Sequence, residues 1–311
     1  MRTVTASAPG SLMVTGEHAV LHGRHALVCA VDRRVTVHAT ARTDGRIRVR
    51  SALGDAEGTV RKLDGFERLP FVGESLRRAC DGLKGGAELQ IESEILHTLG
   101  LGSSAAVTVA TLAAARALAG ERPSAEAVAR EAREVIRAVQ GRGSGADAAA
   151  SALGGLVLYR ADPWSAQAVG SRFPILAVYS GSKRPTAEVI ALVEERRARD
   201  PKRFEFLYDR MDAESLAGAE AARAGDLAAL GAALSRGQEL MDAIGVVNEP
   251  LADIVARLRV LPGIHGAKVS GSGLGDCAIA AGETEWTDAR YPALPVRMDP
   301  RGLVVGVEIE S

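Results

Sequence analysis

The sequence predicts an α+β chain, and three observations carry that expectation. Short apolar runs and alternating segments crowd the first third of the chain. Long alanine-rich stretches with helical spacing fill the middle and much of the remainder. Strands come in groups rather than alternating singly with helices, which argues against a doubly wound parallel sheet. With 311 residues, the chain can build one large domain or two medium ones, each with its own core.

Thr3–Ala8, Leu12–Thr15 and Leu27–Val31 are short apolar runs, and Arg33–Arg42 and Arg46–Ser51 alternate apolar with charged residues as half-buried strands do. Glu88–Glu92 is a further short strand. The period then changes. Ser103–Ala119 has helical spacing with Gly120 at its stop, and Ser124 caps a second helix reaching Val139. Ala146–Ala152 follows a glycine-rich turn, and Leu156–Tyr159 is the next strand. Asp162-Pro163-Trp164 reads as a turn and a domain boundary, dividing the chain into residues 1–162 and 163–311. Beyond it come a strand at Ile175–Tyr179 and helices at Thr186–Arg199, Arg203–Arg223, Asp226–Ile244 and Pro250–Leu261. Strand-like segments at Ala267–Ser270, Ala278–Ala281, Pro295–Met298 and Leu303–Ile309 close the chain.

Composition excludes several classes. Lys plus Arg number 38 against 39 Asp plus Glu, so the net charge of −1 gives no case for nucleic acid or an anionic membrane as main partner. Cys29, Cys80 and Cys277 lie far apart without ligand spacing and read as reduced, buried thiols of a cytosolic protein. The longest apolar stretch, Ala105–Ala119, contains Arg116 and is too short to span a bilayer. A cytoplasmic location is expected, since Met1–Thr5 shows no apolar signal-peptide core.

Three glycine-rich loops stand out. The first joins Ala8-Pro9-Gly10-Ser11 to Gly16-Glu17-His18-Ala19-Val20 and puts Glu17 and His18 at a strand end, open to a ligand contact or to an ordinary hairpin role. The second, Gly100-Leu101-Gly102-Ser103-Ser104-Ala105, lies between a strand and a long helix. Its glycines allow close backbone approach, and the unpaired first N–H groups of the helix favour an anion. Ser103 and Ser104 add hydroxyls suited to phosphate or magnesium; a plain Ser-capped helix is the alternative. Gly100, Gly102 and Ala105 also fit a relaxed dinucleotide pattern, but a helix at Ser124, not a strand, follows. No Gly-x4-Gly-Lys-Ser/Thr loop occurs. The third loop, Lys268-Val269-Ser270-Gly271-Ser272-Gly273-Leu274-Gly275-Asp276, alternates glycines after a strand, as an anion-binding nest or a simple turn does. Between the last two, Gly143-Ser144-Gly145-Ala146-Asp147 places Asp147 in the first turn of a helix. There it either complements the helix dipole or faces a substrate hydroxyl.

In this order the segments resemble the GHMP kinase superfamily. Ala8-Pro9-Gly10 matches its first motif, Gly100–Ala105 its Gly-Leu-Gly-Ser-Ser-Ala motif, and Lys268–Gly273 its Lys-x-(Thr/Ser)-Gly-x-Gly loop. Gly16–Gly23 is similar to the first motif of the mevalonate kinases within it. The resemblance implies an N-terminal domain like ribosomal protein S5 domain 2 and a ferredoxin-like C-terminal domain with added helices. It implies an ATP-dependent kinase acting on a small-molecule alcohol, mevalonate first, with Mg²⁺ as cofactor. Phosphomevalonate kinase, another small-molecule or sugar kinase, and a catalytically dead binding protein of the same fold are the alternatives.

The resemblance also implies the site. Gly100, Leu101, Gly102, Ser103, Ser104 and Ala105 would hold ATP, with Ser104 on the metal. Asp147 would be the catalytic carboxylate. Glu17, His18, Ser144, Gly145, Thr186, Gly271, Ser272 and Gly273 would contact substrate. Three departures from the pattern stand out: Ser11 where the family has Lys, Ile136 where mevalonate kinases carry a metal-binding Glu, and Leu96 and Thr98 where the family often has Pro and Gly. Lys183, in the Ser180–Thr186 loop between a strand and a helix, is expected to compensate for Ser11; a surface Lys before a Pro-initiated helix is the alternative. A pair of identical copies is common among such relatives.

Overall fold

The computed structural model describes residues 2–96, 99–170 and 172–309. In chain order the first strands are β1 (Arg2–Thr15), β2 (His25–Ala41), β3 (Arg46–Ser51) and β4 (Ala56–Thr59). Helix α1 (Pro70–Ala79) and β5 (Ala87–Ser93) follow, then α2 (Ser103–Leu118), α3 (Ala125–Gln140) and α4 (Ala146–Leu153). The apolar runs expected as separate strands merge. Thr3–Ala8 and Leu12–Thr15 form one strand whose register against β2 shifts between Pro9 and Gly10. That shift is a bulge at a proline, which has no amide for the ladder.

Next come β6 (Leu156–Ala161), β7 (Trp164–Gly170) and β8 (Ile175–Tyr179). Helices α5 (Thr186–Arg199), α6 (Pro201–Ala224), α7 (Leu227–Ala243) and α8 (Glu249–Arg259) form a run. The chain ends with β9 (Ile264–Ser270), β10 (Cys277–Gly282), β11 (Ala293–Leu294) and β12 (Val304–Ile309).

Two sheets organise these elements. The first has the order β12-β1-β2-β5-β3-β4, with β6 on the lower part of β2 and β7 on β6. The second is antiparallel, in the order β11-β8-β10-β9. Helix α2 lies on β1 and β2, flanked by α1 and α3, and its almost wholly buried alanine face lets it sit close to the strands. Helices α7 and α8 cover β9 and β10, and α6 spans from α7 to β2 and β7. Among the described residues no helix is long and apolar enough to cross a membrane.

Two expectations change. Asp162-Pro163 lies in the turn of the β6–β7 hairpin, and both strands belong to the first sheet. Strand β12 also returns to pair with β1. We propose that the first unit runs to Gly170 and takes back residues 304–309. The strand expected at Pro295–Met298 is irregular. Only Ala293–Leu294 pairs with β8, and Met298 makes a single bridge to Val31. Proline at 295 breaks the ladder there.

Candidate active site

One cavity of about 470 Å³ lies where the glycine-rich loops meet. The first and second loops meet just after the register shift between β1 and β2. The Ser11 amide donates to the Leu101 carbonyl at 3.0 Å, and a Cβ on Gly10 would sit 2.5 Å from that same oxygen. Only glycine permits this approach.

The second loop enters α2 through Gly102, which is left-handed (φ 66°) and offers no side chain to cap the helix. The N-terminal end of a sixteen-residue helix therefore faces the cavity with its dipole and without a side-chain acceptor, as an anion site requires. Ser103 and Ser104 line the cavity beside it.

Asp147 lines the same cavity from the first turn of α4, after a left-handed Gly145. The loop before it is pinned by the Tyr159 hydroxyl, which donates to the Ser144 carbonyl at 2.5 Å. Asp147 Oδ1 accepts a hydrogen bond from Ser11 Oγ at 2.9 Å. Enclosure by protein pushes the Asp147 carboxyl above the usual carboxylate range, Ser11 pulls it back, and Glu17 adds to the rise.

The first and third loops are clamped together. Lys268 Nζ lies 2.5 Å from Glu17 Oε1, with the two side chains 1% and 3% exposed. The same ammonium also donates to the Val269 carbonyl. Burial lowers the Lys268 pKa while Glu17 opposes the fall. Ser270 Oγ donates to the Met13 carbonyl at 2.8 Å, and His18 Nε2 donates to the Ser272 carbonyl at 2.9 Å. His18 holds a positive φ of 60°, a strained choice for a non-glycine residue. Burial lowers its pKa below the ordinary histidine value, so the ring is neutral near pH 7.

Every site residue expected from the sequence lines this cavity except Gly273. A Cβ there would meet the Val246 carbonyl at 2.3 Å, so Gly273 serves packing against the loop after α7. Lys183 and Thr186 lie at the exposed mouth. Lys183 acts electrostatically on Asp276 and Cys277. Asp276, Ser11 and Ile136 also line the cavity. Ile136 is 8% exposed and presents no oxygen to a metal. Among the described residues no group of three or more His, Cys, Asp or Glu could hold a metal alone. Magnesium bound through nucleotide phosphates needs only one or two protein oxygens.

The family descriptions "GHMP kinases N terminal domain" and "GHMP kinases C terminal" match residues 71–155 and 219–287. A mevalonate kinase from Archaeoglobus fulgidus is 39% identical over 274 residues, covering 88% of this chain and 90% of the relative. The chain belongs to the GHMP kinases. This GHMP kinase is an ATP-dependent enzyme, and its α+β architecture is that family's two-domain fold. The crystal structure of L. major mevalonate kinase in complex with R-mevalonate superposes with a TM-score of 0.72 at 26% identity, covering 89% of this chain and 86% of that one. A Lin0012 protein from Listeria innocua shares the fold at a TM-score of 0.87 and 21% identity, over 98% of this chain and 99% of that one.

Proposed function

We propose that this GHMP kinase phosphorylates mevalonate to 5-phosphomevalonate. The observation that carries the chemistry is that Asp147 lines the same cavity as the uncapped N-terminus of α2. The choice of mevalonate is supported by the A. fulgidus relative and the L. major structure. The Gly16–Gly23 segment favours it over the phosphomevalonate reading.

The Gly100–Ala105 backbone and the α2 N-terminus bind the triphosphate. Neutral His18, Ser144, Gly145, Gly271, Ser272 and Thr186 shape the space for mevalonate, and Glu17 anchors that wall through Lys268. Lys183, at the mouth, supplies positive charge toward the transferring group in place of the family's lysine at position 11. The substrate's primary hydroxyl attacks the γ-phosphorus as the bond to the ADP oxygen breaks. Asp147 accepts the hydroxyl proton, and Ser11 holds the carboxylate in place. Ser104 would hold Mg²⁺ through its hydroxyl, and the ion would supply positive charge against the phosphate oxygens. Most of the acceleration comes from positioning and fixed dipoles.

ATP turnover with mevalonate, phosphomevalonate, homoserine and galactose tests the proposal. Mevalonate is expected to give the highest kcat/KM and a product bearing phosphate on the primary oxygen. Turnover of phosphomevalonate with none of mevalonate would transfer the assignment to that substrate.

A further inference from the structure

Three carboxylates line the cavity, and they are treated differently. Glu17 is neutralised by Lys268, and Asp147 accepts the Ser11 hydroxyl. Asp276 is 7% exposed, and its Oδ1 has no hydrogen-bond partner among the described residues.

Its backbone is fixed from two directions. The Asp276 amide donates to the Ser182 carbonyl at 2.8 Å, and its carbonyl accepts from the Ser180 amide at 2.9 Å. The residue adopts φ 63°, a left-handed conformation usually left to glycine. Gly100 makes room for its side chain: a Cβ there would sit 2.8 Å from both Cγ and Oδ1 of Asp276. The carboxylate is thus wedged against the first glycine of the phosphate loop. Burial raises its pKa, Asp147 adds to the rise, and Lys183 opposes it.

An unpaired buried carboxylate destabilises a fold unless a cation arrives to neutralise it. A hard divalent cation takes oxygen ligands, commonly one or two carboxylates together with nucleotide phosphates. We propose that Asp276 is a carboxylate ligand for the divalent cation that enters with the ATP phosphates. This inference rests on the nucleotide reading of the cavity. It explains why an acidic residue is kept in a left-handed position beside a loop that otherwise invites anions.

Binding of the fluorescent nucleotide mant-ATP, measured in EDTA and again in excess Mg²⁺, provides the test. The wild-type enzyme is expected to bind at least about tenfold more tightly with Mg²⁺, a factor worth about 1.4 kcal/mol. In Asp276→Asn this gain shrinks to about twofold or less, while affinity in EDTA stays within about twofold of wild type. Thermal unfolding in EDTA should leave the variant equally or more stable, because a buried unpaired charge has gone. Asp276→Gly suits the positive φ, relieves the contact with Gly100 and should show the same loss of the Mg²⁺ gain. A full Mg²⁺ gain in both variants would overturn the assignment. Equal weakening with and without Mg²⁺, or a lower unfolding temperature, would overturn it too, by making Asp276 a support for the loop. Failure of the wild type to bind mant-ATP under either condition would bring down the nucleotide reading itself, and this inference with it.

Discussion

On one wall of the cavity, Lys268 Nζ meets Glu17 Oε1 at 2.5 Å, and Ser270 and His18 close further bonds between the first and third loops. On the other, the N-terminus of α2 has no side-chain cap and Asp276 keeps an unpartnered oxygen. Both walls are built from glycine-rich loops. The first spends its charged groups on one another and so holds the two sheets in a fixed relation. The second leaves its donors and acceptors for molecules that come and go. The Glu17–Lys268 pair thus shapes the cleft, while the α2 N-terminus is left without a side-chain cap and the Asp276 oxygen without a hydrogen-bond partner.

The largest expected effect breaks the satisfied wall. Lys268→Met keeps the apolar stem but leaves the Glu17 carboxylate buried without a partner, which should cost about 3–5 kcal/mol of stability. Chemical denaturation would measure it, and adding Glu17→Gln should recover most of the loss. If the single variant is as stable as wild type, the clamp is not a structural element.

Gly100→Ala attacks the opposite wall. Its Cβ would fall 2.8 Å from Asp276 in a backbone with φ 69°, so the loop must shift. We expect the KM for ATP to rise about tenfold or more, with about 1–2 kcal/mol of stability lost to left-handed strain. Unchanged ATP kinetics would remove this loop from the nucleotide site.

Ser11→Ala has a smaller effect. Losing one hydrogen bond to a carboxylate should lower kcat about fivefold, on the scale of 1 kcal/mol. The variant also moves the pH profile. With Asp147 as the proposed base, kcat/KM should fall on the acid side as pH drops through the raised pKa of that group. Ser11 holds the pKa down, and its removal should shift the acid limb upward. Stability runs the other way. A carboxyl whose folded pKa lies above its unfolded value contributes stability that is present at low pH and lost as pH rises through the folded pKa. An acid limb that stays put in Ser11→Ala would separate Ser11 from Asp147.

Much of the second wall was legible in the sequence, because each glycine cluster sits at a change of hydrophobic period and the first N–H groups of a helix are a local property. The clamp was not. Lys268 and Glu17 are 251 residues apart, and no local pattern pairs them. Ser11 and Asp147 are 136 residues apart, and no local pattern pairs them either. Asp276 was visible as the last residue of a glycine-rich loop, yet its unpartnered oxygen depends on how Gly100 packs against it. The boundary expected at Asp162-Pro163 shows the limit of local reading, since a hairpin turn and a domain junction use the same residues.

In the proposed mechanism Asp147 takes the proton of the mevalonate hydroxyl. Asp147→Asn keeps the shape and removes the charge. Single-turnover phosphorylation of mevalonate at saturating ATP, in a variant shown to be folded by its thermal transition, measures the chemical step. We expect a fall of about a hundredfold or more, with ATP affinity near wild type. A folded Asp147→Asn enzyme that phosphorylates mevalonate at close to the wild-type rate would contradict it and leave Asp147 as a residue that only complements the dipole of α4.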